Sequence, residues 1–170
     1  MKTIKTLASV LGGIVLAYFC PHKALAETEQ SPGSRLLDLV YEVMPAIAEV
    51  ESGGDPKAKG DRNKKTGRYD AVGLYQLHIE YVEDVKTIVK RLKLPGKKFI
   101  YADRKDPDKS CQMVVFYLYH YGSAYLLKTG KMPTAEILCR IHNGGPLGYK
   151  KKATEKYWLK VKAVMEGVQK

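Results

Sequence analysis

The chain has 170 residues, 45% of them hydrophobic, with 29 Lys and Arg against 18 Asp and Glu, a formal charge of +11. That length suits one domain with a real hydrophobic core, and the scattered histidines and cysteines offer no pair at metal-ligand spacing, which argues against a metal centre. The positive balance favours polyanionic partners, either nucleic acid or an anionic surface.

Residues 1–26 have the anatomy of a secretory signal. Lys2 and Lys5 are followed by an apolar run from Leu7 to Phe19, and Ala24-Leu25-Ala26 places small residues where a signal peptidase reads them, with cleavage before Glu27. The run is short for a membrane span of ~20 residues. An uncleaved anchor is the competing reading, and a lipoprotein on Cys20 is a weaker one, because Tyr18 and Phe19 are bulky. Cleavage removes Lys2, Lys5 and Lys23, leaving 26 basic and 18 acidic side chains, or +8. The expected location is then periplasmic or extracellular, where the partner for a basic surface is an anionic cell envelope and not nucleic acid. Cys111 and Cys139 remain after cleavage, and in an oxidising compartment they either pair or stay as two buried thiols.

Residues 27–34 are polar and read as a flexible lead-in, and residues 35–170 as one domain, expected to be monomeric. Ser34 is the expected cap of a helix whose apolar stripe is Leu37, Val40, Met44 and Ile47. Pro45 either kinks this helix or opens a second one. Ser52-Gly53-Gly54-Asp55-Pro56 ends it. The polar, basic stretch from Asp55 to Asp70 fits a small β-hairpin. Helices follow over roughly Ile79 to Leu92, from Asp106-Pro107 with a stripe of Cys111, Val114, Val115 and Leu118, and from about Thr134 to the Asn143-Gly144-Gly145-Pro146 stop. A last helix starts near Thr154 with Tyr157, Trp158, Val161, Val164 and Met165 on one face. The fold class is α+β, predominantly α, with a small hairpin region after the first helix.

Two glutamates sit at the end of that helix, in different phases. Glu49 follows Asp38 and Glu42 on the solvated side, whereas Glu51 extends the stripe four residues past Ile47. A carboxyl group on an apolar stripe loses solvation, which favours its protonated form, and the negative potential of a helix C-terminus acts in the same direction. A general acid near neutral pH needs that state. A carboxylate turned out to water is the competing reading.

Glu51-Ser52-Gly53 at a helix end resembles the catalytic motif of the lysozyme-like superfamily, in its soluble lytic transglycosylase domain family. Two further segments follow in the family's order. Gly73-Leu74-Tyr75-Gln76 is similar to its Gly-Leu-x-Gln groove segment. Ile141-His142-Asn143-Gly144-Gly145 is similar to its Tyr-Asn-(Ala/Gly)-Gly segment, with His142 where tyrosine is usual. Tyr157 matches a tyrosine often placed near the catalytic glutamate. The resemblance implies a lysozyme-like fold, Glu51 as sole acid/base, and substrate contacts from Ser52, Gly73, Tyr75, Gln76, His142, Asn143, Gly144 and Tyr157. It implies no cofactor and no metal, and a substrate that is the glycan strand of peptidoglycan, cut between N-acetylmuramic acid and N-acetylglucosamine to leave 1,6-anhydro ends. A hydrolytic muramidase and a non-catalytic wall-binding module are the alternatives. A hydrolase would use a second carboxylate, for which Asp70, closer in sequence to the groove segment, is expected ahead of Asp61.

Overall fold

A computed structural model describes residues 30–94 and 96–167. The expected signal at residues 1–26 lies outside the described residues, as does the start of the lead-in. No helix among the described residues is long and apolar enough to cross a membrane.

Helix α1, Pro32–Ser52, begins earlier than expected. Ser31 is the cap in place of Ser34: its hydroxyl accepts from the Ser34 amide at 3.2 Å, and Pro32 follows as the first helical residue, where a missing N–H removes no helix bond. Residues 32–34 are therefore helical and not lead-in. Pro45 lies inside one continuous helix. Val40, Met44 and Ile47 are buried as the stripe requires, but at the start of the helix Leu36 is buried and Leu37 only half-buried.

The hairpin pairs β1, Lys59–Arg62, with β2, Tyr69–Val72, antiparallel, setting Lys59 opposite Val72 and Arg62 opposite Tyr69. Asn63 closes the turn by accepting from the amides of Lys65 and Thr66 at 3.0 and 3.1 Å, and Gly67 supplies the left-handed residue. Helix α2 spans Ile79–Arg91. A short 3-10 turn, Tyr101–Lys105, comes next, and a single turn gives no periodicity by which to foresee it.

Helix α3, Pro107–Thr129, starts where Asp106 caps the Lys109 amide. Met113 to Leu118 are all buried, so α3 has no single apolar face: it runs through the centre, packed by α1, α2 and α4. The expected four-residue stripe was too narrow for a helix covered all round. Helix α4, Ala135–Gly144, is capped by Thr134, whose hydroxyl accepts from the Ile137 amide at 3.3 Å. Helix α5, Glu155–Met165, packs against α1 and α4 through Val161, with Tyr157, Trp158 and Met165 half-buried and Val164 exposed.

Cys111 and Cys139 are both free thiols, the first half-buried and the second buried. Burial pushes the Cys139 thiol up to about 12. An unfolded cysteine ionises near ~8.5, so above that pH the unfolded chain loses a proton that the fold retains. Stability is then lost as pH rises from there to about 12. The expected outcome is a melting temperature that falls across this alkaline window, and a Cys139 unreactive to a thiol reagent at neutral pH until denaturant is added. Rapid labelling of Cys139 in the native protein would contradict this packing.

Candidate active site

The end of α1 is fixed before any ligand is considered. Gly53 takes the left-handed conformation (φ 62°) and returns its amide to the carbonyls of Ala48 and Glu49, a glycine stop that leaves Glu51 in the last full turn. The Ser52 hydroxyl points to the carbonyl oxygens of Leu74 at 2.8 Å and Ala48 at 3.1 Å. Its hydrogen is thus used up in tying the helix end to the loop after β2. Ser52 was expected to touch substrate; it lies outside the cleft lining and anchors the backbone beside Glu51.

That loop is tight. Gly73 has φ 84°, and a Cβ there would sit 2.0 Å from the carbonyl oxygen of Arg104. Gly73 therefore permits close approach of the 3-10 turn, and it lies outside the cleft lining. Arg104 is buried against the same loop and donates to the carbonyls of Asp70 at 2.7 Å and Leu77 at 2.5 Å, with its guanidinium over the Tyr101 ring. Gln76 holds a left-handed backbone (φ 47°), rare for a residue with a side chain, and its amide nitrogen donates to the Gly73 carbonyl at 2.9 Å.

These elements wall a cleft of about 660 Å³ that contains Glu51. Of the residues singled out in the sequence, it brings together Glu51, Tyr75, Gln76, His142 and Asn143. Gly144 is not among them: a Cβ there would meet the Thr154 side chain at 2.5 Å, and its carbonyl accepts from Lys151 at 2.6 Å, so it serves packing under the following loop. Nor does Asp70 line the cleft, its carboxylate accepting instead from the side-chain Nδ2 of Asn63 at 3.4 Å. Asp61 does line it, with its backbone left-handed (φ 48°) and its carboxylate 3.0 Å from His78 Nε2. Sequence order had favoured Asp70; the local backbone reverses that preference.

Glu51 keeps 19% of its side-chain surface in contact with solvent and faces His142, which keeps 3%. Glu51 Oε1 lies 3.6 Å from His142 Nε2, and His142 Nδ1 lies 3.3 Å from the hydroxyl of Tyr81, whose ring stacks on Tyr117 at 3.8 Å. The two ring nitrogens of His142 thus face different partners, Nδ1 the Tyr81 hydroxyl and Nε2 the carboxylate. Tyr157 stands outside the lining. Its hydroxyl is buried without a partner at hydrogen-bond distance, and it is held protonated first by burial and then by the charge of the neighbouring Glu51. Burial is also the main reason that Tyr75 and Tyr81 stay protonated far above the ordinary tyrosine range. The charge of Glu51 is thus felt by the Tyr81 and Tyr157 hydroxyls, and His142 stands beside its carboxylate in the cleft wall.

Sequence reasoning missed much of the α2 wall. Glu80 and Asp84 join Glu51 and Asp61 in the lining, and no lysine or arginine is part of it. Glu80 and Asp84 are spaced four apart, a signal of one helix face, but nothing in sequence says which face meets a cleft.

The family model described as transglycosylase SLT domain matches residues 37–162. No curated protein sequence matches the chain significantly. Among solved structures, a chain of the crystal structure of Aeromonas hydrophila PliI in complex with Meretrix lusoria lysozyme is similar, with a TM-score of 0.55 and 24% identity over 75% of this chain and 93% of that one. At that identity the likeness bears on the fold alone.

Proposed function

The chain belongs to the transglycosylase SLT domain family, with a lysozyme-like fold, and from that premise we propose that it cleaves peptidoglycan glycan strands with Glu51 as the acid. The observation that carries this reading is the position of Glu51: on a helix end anchored through Ser52, beside His142 and Tyr157, and lining the cleft. In the proposed reaction Glu51 gives its proton to the oxygen linking N-acetylmuramic acid to N-acetylglucosamine, and that bond to C1 breaks. The muramic acid C6 hydroxyl then attacks C1 while Glu51 takes the hydroxyl proton back, leaving a 1,6-anhydro end. Tyr75, Gln76 and Asn143 are proposed to hold the sugars, by ring contact and by side-chain amides that both donate and accept. An exported chain acting in the periplasm or outside the cell, as a monomer, is part of the same proposal.

One observation favours a second reading. Asp61 shares the cleft with Glu51, and a second carboxylate is what a hydrolytic muramidase uses to stabilise an oxocarbenium-like transition state or position water. Incubating the purified protein with sacculi and weighing the soluble products decides between them. Anhydro ends support the transglycosylase, reducing ends the hydrolase, and absence of release points to a binding module. If water is the nucleophile, Asp61→Asn lowers turnover by about a hundredfold or more, and Asp70→Asn leaves it within about twofold. The reverse order would show that the hairpin is placed differently in the working enzyme.

A further inference from the structure

A second cavity, of about 630 Å³, is lined by the C-terminal half of α2 and the segment that follows it, and shares no lining residue with the cleft. Its lining includes Lys86, Lys90, Lys93, Lys97 and Lys98 and no carboxylate. The remaining lining is apolar: Val89 and Phe99 are buried at the floor, Leu94 is half-buried, and Ile100 is 62% exposed at the edge. Lys86 is paired with Glu83 and Lys97 with Gln112. Lys90, Lys93 and Lys98 have no side-chain partner among the described residues, and all three are exposed.

We propose that this lysine-rimmed groove docks the protein on an anionic phospholipid surface. Two features select that occupant. Unpaired lysines around a groove without carboxylates are complementary to a negatively charged headgroup layer, where each lysine near the surface contributes about 1 kcal/mol. Exposed Ile100 in the same lining adds what a purely ionic polymer has no use for, an apolar side chain able to enter the interface. The site is built from the C-terminal half of α2 and the segment after it, and not from catalytic groups, so it stands independently of the proposed glycan cleavage. Because α2 also carries Glu80, Tyr81 and Asp84 in the cleft wall, docking through its far end would hold the cleft at a fixed height above the lipid.

Co-sedimentation with vesicles of phosphatidylcholine, with and without phosphatidylglycerol, tests the proposal, with thermal melts confirming that each variant is folded. Binding is expected only to the vesicles containing phosphatidylglycerol, and to weaken with salt. K90S/K93S/K98S should weaken it by about a hundredfold, at roughly fivefold per lysine. A control removing three lysines elsewhere, K64S/K65S/K128S, should weaken it less than about tenfold. Ile100→Ser should weaken vesicle binding severalfold while leaving binding to inorganic polyphosphate unchanged. Equal losses in the two lysine triples would reduce the effect to net charge and overturn the proposal. An Ile100→Ser variant that binds vesicles as the parent does would turn the groove into a polyanion site and also overturn it, as would equal binding to both vesicle types.

Discussion

Glu51→Gln should lower release of sacculus fragments by at least about a thousandfold, the upper part of the range for removing a general acid, while the protein melts at the parent temperature. The amide has the shape of the carboxyl group and fits the same space beside His142 Nε2 and the Tyr157 hydroxyl, but it has no proton to give at a useful acidity. Loss of activity together with loss of fold would be uninformative, so the melt is part of the measurement. Glu49→Gln is the matched comparison. It lies two residues away on the same helix, exposed to solvent and outside the cleft lining, and its turnover should stay within about twofold of the parent. Comparable losses from both substitutions would point to a general electrostatic effect of the helix end and remove the special role given to Glu51.

Gly73→Ala should behave in the opposite manner, with a large loss of stability and little change in how the folded fraction handles substrate. The added methyl group would lie 2.0 Å from the Arg104 carbonyl oxygen, at a backbone angle (φ 84°) that side-chain-bearing residues avoid. The obstruction is backbone, so it does not swing aside. Overpacking plus backbone strain amounts to about 3 kcal/mol or more, which for a domain of this size lowers Tm by roughly 10 °C. Thermal denaturation and KM measured on the same sample separate the two roles. A contact with sugar would raise KM and leave Tm alone; the geometry predicts the reverse.

The contrast between these residues shows where sequence reading has force. Helical phase distinguishes Glu51 from Glu49 because 3.6-residue periodicity is a property of the chain itself, and the cap-then-proline pattern, equally local, located the start at Asp106. Gly73, Gly144 and Ser52 show the limit. Their residue types announce close approach or a hydrogen bond, but the partners, Arg104, Thr154 and the Leu74 carbonyl, are distant in sequence. The two aspartates fail for a different reason. Asp61 and Asp70 would fall opposite each other in the hairpin register, yet Asp61 leaves the extended region and Asp70 does not. A single left-handed residue redirects a side chain, and no alternation pattern encodes it. His142 was read as a departure from the usual tyrosine; its hydrogen-bonding nitrogens turn out to span Tyr81 and Glu51, a link between α2 and α1 that required three elements to be in place.

The sign of charge reverses between the molecule and its cleft: a chain of net charge +11, or +8 without residues 1–26, presents Asp61, Glu80 and Asp84 around Glu51 to whatever enters. An acidic polymer is therefore gathered by the exterior but resisted at the point of entry, and neutral, amide-bearing stretches of it are admitted first. Screening acts on both stages, with a Debye length of ~10 Å at 0.1 M salt. Interactions over distances beyond that length are lost first, so added salt weakens the outer attraction while the shorter-range repulsion inside the cleft persists. Turnover plotted against ionic strength should accordingly decline.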